Sequence, residues 1–369
     1  MTAADHDDLR DAVRSFLQAR SSSAAVRHVM ETPTGYDERV WRQLAGEMGL
    51  VGIAVPEEFG GAGAGMRELA VVLEEMGAAL LCSPFFATVV LAAHALLTSG
   101  DRDAMVKLLS RLVDGSTTAT LILNDGLGTW DPGSVTLVAR KGPEGFLVSG
   151  RAPMVLDGHT ADVLLLAART EAGLSLFAVE STATGLQREP LASLDRTRRI
   201  AALGFDDVPA DLIGADGAAA AGLARTSDLA LVALAAEQVG AAQRCLDMAV
   251  GYAKTRIQFG RPIGSFQAVK HQCADMLVAV EGARSAAMHA AEAADAPDNA
   301  ELPIAASVAK MACSDAFLQA ALGNMHVHGG IGFTWEHDAH LYVRRAKASQ
   351  LMFGSPDMHA QRLADLTTT

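Results

Sequence analysis

Two stretches of this chain, residues 226–254 and 265–294, each keep helical spacing of Ala, Leu, Val and Met for seven or more turns. Helices that long and that apolar must bury a face, so they belong in a bundle or across a subunit interface. Helical periodicity also runs from residue 5 to about 113, for example at Leu9, Val13, Phe16 and Leu17, and again at Leu69, Val72, Leu73 and Met76. Within it, GLVGIAVPEEFGGAGAG (49–65) reads as a loop, because a short apolar run meets Pro56 and then a series of glycines.

Between the helical regions the period changes. TATLILN, SVTLVAR, GFLVSG, ADVLLLAAR, LSLFAVE and AALGFDDV are short, apolar or β-branched, and separated by Gly, Pro and Asp. They predict a small antiparallel β-domain over residues 117 to about 214, followed by an Ala/Gly-rich linker at 215–223. The expected organisation is α+β in three parts: an N-terminal helical domain (1–116), a middle β-domain (117–221) and a C-terminal four-helix bundle (222–369). A chain of 369 residues is too long for one simple core, which agrees with this division.

Charge narrows the function. The net charge of −13 and the lack of any Lys/Arg-rich run disfavour nucleic acid and anionic membranes as partners. The first twenty residues are acidic and amphipathic, unlike a signal or transit peptide, and the apolar run at 229–236 is far too short to span a membrane. A cytoplasmic location is therefore expected. Cys82, Cys245, Cys273 and Cys313 are scattered without a CxxC pair, so reduced core thiols are expected. His326 and His328 form an HxH pair, but no nearby Cys or Glu completes a ligand set, and no metal is expected.

Four segments are more specific: GLVGIAVPEEFGGAGAGMRELAVVLEEMG (49–77), LASLDRTRRIAALGFDDVPADLIG (191–214), YAKTRIQFGRPIGSFQAVKHQCADM (252–276) and MHVHGGIGFTWEHDAHLYVRRAKASQLMFG (325–354). A bound pyrophosphate needs a fixed cation and close backbone N–H groups, which Arg256 and the turn of Gly329, Gly330 and Gly332 can supply. Phe259 offers a flat surface for an adenine. The third segment alone also reads as an ordinary helix stop, with Gly260 as the left-handed residue and Pro262 after it.

Taken together, the order of domains and these four segments resemble the acyl-CoA dehydrogenase superfamily over nearly the whole chain. The resemblance implies FAD as cofactor, an acyl-CoA substrate and an electron-transfer flavoprotein or similar acceptor. It implies that Arg256, Gln258 and Phe259 contact the adenosine-pyrophosphate part of an FAD bound mainly to a neighbouring subunit. Gly329 and Gly330 add contacts across the same interface, with His326 where the family carries glutamine; histidine can still donate a hydrogen bond.

The family reaction needs a carboxylate near the substrate Cα, its pKa raised by an apolar pocket. This chain places Phe353 at the usual base position and Ala230 at the alternative one, so no catalytic residue is assigned. The nearest acids, Asp228 and Glu237, read as a first-turn acid and a solvated or paired helix acid. LNDGLGTWDPGSV (123–135) and MVLDG (154–158) stand where the family holds its flavin ring, and both lack the family's hydroxyl-bearing pattern. The chain is thus similar to the subunit without the glutamate in actinobacterial heterotetramers acting on steroid side-chain CoA esters, with the base on a partner chain. Two alternatives stay open at this point: an autonomous oxidase or monooxygenase of the same superfamily, and a purely structural subunit.

Overall fold

The computed structural model describes residues 3–123, 131–143, 145–298 and 300–368. Helices α1 (Ala3–Arg20), α2 (Ser23–Val29), α3 (Glu38–Gly46), α4 (Met66–Ala78), α5 (Ala93–Ser99) and α6 (Arg102–Val113) form the first part. Asp37 caps α3 by accepting from the Arg39 N–H (2.8 Å), and Asp101 caps α6 by accepting from the Ala104 N–H (3.0 Å). A π-helix, Phe86–Ala92, leads into α5 and is buried throughout.

The middle part contains β1 (Ala119–Ile122), β2 (Val138–Gly142), β3 (Gly145–Leu156), β4 (Val163–Arg169), β5 (Leu174–Glu180), β6 (Leu186–Pro190) and β7 (Ile200–Ile213). The strand order is β1-β4-β2-β3-β7-β5, with β6 on β7 and a further β4–β5 pairing that closes five strands into a ring. Leu164, Leu166, Phe177, Leu203 and Val208 fill its interior. The sheet is mixed: β1 runs parallel to β4, Ala119 opposite Val163, where the sequence pattern predicted antiparallel pairing. Period-2 alternation reports which face a residue takes and carries no information about partner direction.

Helix α7 (Ala220–Thr255) starts inside the expected linker and runs for 36 residues. It is followed by α8 (Gln267–Asp295), α9 (Leu302–His328), α10 (Ala339–Leu351) and α11 (Pro356–Thr368). Small residues let α4 and α7 cross at backbone distance. A Cβ on Gly77 would lie 2.0 Å from Glu237 O, and one on Gly240 would lie 1.8 Å from Glu74 O. The far end of α8 is tied to the start of α4, where Asp295 accepts from the Met66 N–H (2.7 Å) and the Arg67 N–H (3.1 Å). A carboxylate there meets the positive end of the helix dipole. Helical bundle, β-ring and N-terminal helices therefore meet along α7, α10 and the π-helix.

Candidate functional site

Where these parts meet lies a cavity of about 240 Å³. Its walls include Leu123, Met154 and Leu156 from the β-domain and Met352 and Phe353 from the turn after α10. Parts of the two sequence segments expected to have altered ring-binding patterns thus line the same space as Phe353. Residues 124–130 of the first segment lie outside the described residues. Asp157, in the second, has a positive φ of 52°, and burial pushes its carboxyl up to about 7 against the pull of Arg198, Arg199 and Arg345.

Phe353 is held in a strained conformation. Its φ is 56°, in the left-handed region that side chains avoid, and Gly354 follows at 99°. The His359 Nε2–H donates to Phe353 O (2.8 Å), and burial pushes the His359 imidazole down to about 4. Buried Lys310 donates to Ser349 O (2.6 Å) and Gln350 O (3.2 Å), satisfying carbonyls at the end of α10. The Phe353 ring stacks on Phe86 with centroids 6.2 Å apart. The Arg198 guanidinium also lies over the Phe86 ring, 5.1 Å from its centroid.

Behind this aromatic pair sits a buried ionic network. Glu237 Oε1 pairs with Arg345 (2.7 Å), while its Oε2 pairs with Arg198. Arg345 also pairs with Asp195 (2.7 Å) and donates from Nε to the Thr197 hydroxyl (3.0 Å). Asp195 is the only carboxylate lining the cavity among the described residues. Each acid of the network is committed to a guanidinium, which disfavours its taking a proton from a substrate. Ala230 is fully buried in the core and does not reach the cavity. Asp228 pairs with Arg362 of α11 (2.6 Å), and burial holds its carboxyl above the usual range against that pairing. It lies in the third turn of α7 rather than the first, because the helix starts at Ala220. Phe86 and the network carry no motif that sequence reading singled out. The available signal was Glu237 alone in an apolar helical run, which demands a buried cation as partner.

The residues expected to face a flavin from outside lie at the opposite end of the bundle. Arg256 follows α7 directly, its N–H donating to Tyr252 O (2.8 Å). Beyond it, β8 (Ile257–Gln258) and β9 (Arg261–Pro262) form a tight hairpin with Phe259 at the tip. Phe259 is 90 % exposed and has a φ of 51°. Arg256 and Gln258 are also exposed, and among the described residues Arg256 makes no side-chain hydrogen bond or ion pair. His326 projects from the last turn of α9, and Gly329 ends that helix with a φ of 63°. At both Gly329 and Gly330 the space a Cβ would occupy is open. One ring contact joins the two groups: Tyr252, on the last turn of α7, stacks on His328 at 4.3 Å. No group of His, Cys, Asp and Glu fit to hold a metal occurs among the described residues.

Comparison with known proteins bears on the family and the fold. The family description "Acyl-CoA dehydrogenase, N-terminal domain" matches residues 3–116, and "Acyl-CoA dehydrogenase, C-terminal domain" matches residues 228–366. The chain is 38% identical over 355 residues to acyl-CoA dehydrogenase IpdE2 of Mycobacterium tuberculosis, covering 96% of this chain and 95% of that one. A solved variant of the Tcur3481-Tcur3483 steroid ACAD matches with a TM-score of 0.90 and 34% identity, over 99% of this chain and 98% of that one. The ChsE4-ChsE5 complex from M. tuberculosis matches with a TM-score of 0.88 and 28% identity, over 100% and 98%. With helical, β and helical parts in this order and both family descriptions matched, the chain belongs to the acyl-CoA dehydrogenase family.

Proposed function

We propose that this chain is the non-basic subunit of a heteromeric acyl-CoA dehydrogenase, completing with Arg256, Gln258, Phe259, His326, Gly329 and Gly330 the adenosine-pyrophosphate end of an FAD held mainly by a partner subunit. The observation that carries this reading is the contrast between the two ends of the α7 helix system. The outer end presents a cation unpaired among the described residues, an exposed phenyl ring on a strained hairpin tip and two open glycines. These fit a dinucleotide: the guanidinium suits a pyrophosphate, the ring an adenine, and the glycines a close backbone approach. The inner cavity offers no free carboxylate among the described residues, because Asp195, the one acid that lines it, is bound to Arg345.

When bound, FAD would supply the hydride acceptor. The partner chain supplies the base that removes the α proton, and this chain supplies a charged and aromatic clamp. An electron-transfer flavoprotein or similar acceptor takes up the electrons. The similarity to a steroid ACAD supports a bulky, polycyclic acyl-CoA as substrate. Exposed Arg256 and Phe259 count against a purely structural subunit, and the altered segments at 123–135 and 154–158 count against an autonomous oxidase.

The test is flavin content of the co-expressed complex carrying Arg256→Ala, with assembly checked by size. Loss of a charge-assisted contact of about 2–4 kcal/mol should weaken flavin binding roughly thirty-fold or more. Phe259→Ala should act in the same direction and more weakly. Normal flavin and turnover in both assembled variants would refute the clamp and move the structural reading to first place.

A further inference from the structure

The stack that joins Tyr252 to His328 continues. His337, from the segment between Gly329 and α10, lies 4.1 Å from the His328 ring, with planes 36° apart. Three rings therefore run from the last turn of α7, across the end of α9, to the start of α10. Tyr252 sits one helical turn before Arg256, and His328 immediately precedes Gly329. The stack is thus the one ring contact, among the described residues, that fixes the hairpin relative to the glycine turn.

Hydrogen bonding assigns each imidazole a tautomer. His328 Nδ1–H donates to Asn324 O (2.9 Å), whereas His337 Nδ1 accepts from the Ala339 N–H (3.1 Å). Protonating His337 at Nδ1 removes that acceptor and with it a cap of α10. The charged groups around the stack are mostly cations. Arg27 of α2 reaches Trp335 O (2.7 Å) and pairs with Asp338 (2.6 Å), and Arg344 lies over the Trp335 ring at 5.1 Å. His340 stands edge-on to Trp335 at 4.5 Å, and both its ring nitrogens are buried without a partner. Among the described residues Asp338 is the sole acid bearing on the group, and Arg27 already binds it. Burial, with the neighbouring cations for His337 and His340, holds all three imidazoles below their ordinary value.

We propose that Tyr252, His328 and His337 are positioning residues for the flavin clamp: as a stack of uncharged rings they hold the Arg256 hairpin and the Gly329 turn in register, and protonation of the histidines releases it. The inference rests on the clamp reading above. A second imidazolium 4.1 Å from the first meets no free anion among the described residues to offset it. Acid therefore separates the rings, and the two halves of the clamp keep only the apolar α7–α9 packing around Ala249, Ala253 and Val327 as their shared reference.

The experiment measures FAD retained by the co-expressed complex after dialysis between pH 5 and pH 8, alongside histidine ring NMR of the isolated full chain. Unsubstituted complex should lose at least ten-fold in FAD affinity as acid protonates His328 and His337, below the ordinary imidazole range. His337→Asn keeps an acceptor for the Ala339 N–H and carries no titrating charge, so its pH profile should flatten. Tyr252→Ala should lower affinity ten-fold at every pH, with rescue by Tyr252→Phe. An acid profile identical in His337→Asn and the unsubstituted complex, or full affinity in Tyr252→Ala, would overturn the proposal. The NMR arm separates the two readings. If His328 and His337 titrate together below the ordinary range while Arg256→Ala keeps its flavin, the clamp fails and the stack stands. If they titrate independently at the ordinary value, the stack itself is refuted.

Discussion

The inner cavity and the outer end of the bundle differ in how their charges are spent. In the inner region Glu237 pairs with two arginines, Asp195 with Arg345 and Asp228 with Arg362, while buried Asp157 has no ion pair among the described residues and burial raises its carboxyl. At the outer end Arg256 is unpaired among the described residues and Phe259 is exposed, meeting Phe266 edge-on at 6.0 Å. Buried ion pairs with all partners present hold a structure together, while an exposed cation beside an exposed aromatic contributes little to folding. Under the proposed function, the inner region serves as scaffold and the outer region is kept for a ligand.

The sharpest way to break that contrast is to delete one cation from each region. Arg345→Met strands Asp195 in the interior, leaves Glu237 with Arg198 alone, and should cost about 3–5 kcal/mol in urea unfolding of the isolated chain. Arg256→Ala should change the same measurement by no more than about 0.5 kcal/mol. Equal effects would mean that the two ends are not divided as described.

Acid should act on the inner region through His359. Its folded-state value of about 4 lies below the ordinary 6.5, so the unfolded chain takes up the proton first. Stability is complete above about 6.5 and is lost as the pH falls toward 4, by about 2–3 kcal/mol. His359→Gln keeps a donor for Phe353 O without titrating, and this part of the acid loss should disappear. An unchanged difference between pH 7 and pH 4.5 would show that the turn bearing Phe353 is not held this way.

The smallest expected effect is on turnover. Phe353→Glu places a carboxylate where the proposed reading puts the family's base, yet the apolar walls at Met154 and Leu156 remain and the Phe86 stack is lost. The homomeric chain should stay inactive toward acyl-CoA esters. Turnover at a normal family rate would mean that only the base was missing.

The periodic parts of the fold were legible from local spacing. The long helices α7 and α8 and the break into strands near residue 117 follow from it, and the RxQFG and HGGxG segments are contiguous in the chain. What stayed hidden is assembled from distant residues. Phe86 meets Phe353, Arg198 and Arg345 meet on Glu237, and Tyr252 meets His328 and His337 only after the bundle forms. The parallel β1–β4 pairing was hidden for the same reason, since strand alternation does not encode the neighbour. Phe259 was legible as a residue, but its exposure and positive φ, which show that it presents a surface, required the hairpin.

The central claim is that the flavin clamp of this chain needs a second chain to be complete. The direct measurement is the visible spectrum of the isolated chain, purified and incubated with FAD, then mixed with acyl-CoA esters under anaerobic conditions. The account predicts little bound flavin and no bleaching, because the one carboxylate lining the cavity among the described residues is bound to Arg345 and neither Phe353 nor Ala230 accepts a proton. Stoichiometric yellow flavin that an acyl-CoA bleaches in the chain alone would contradict it.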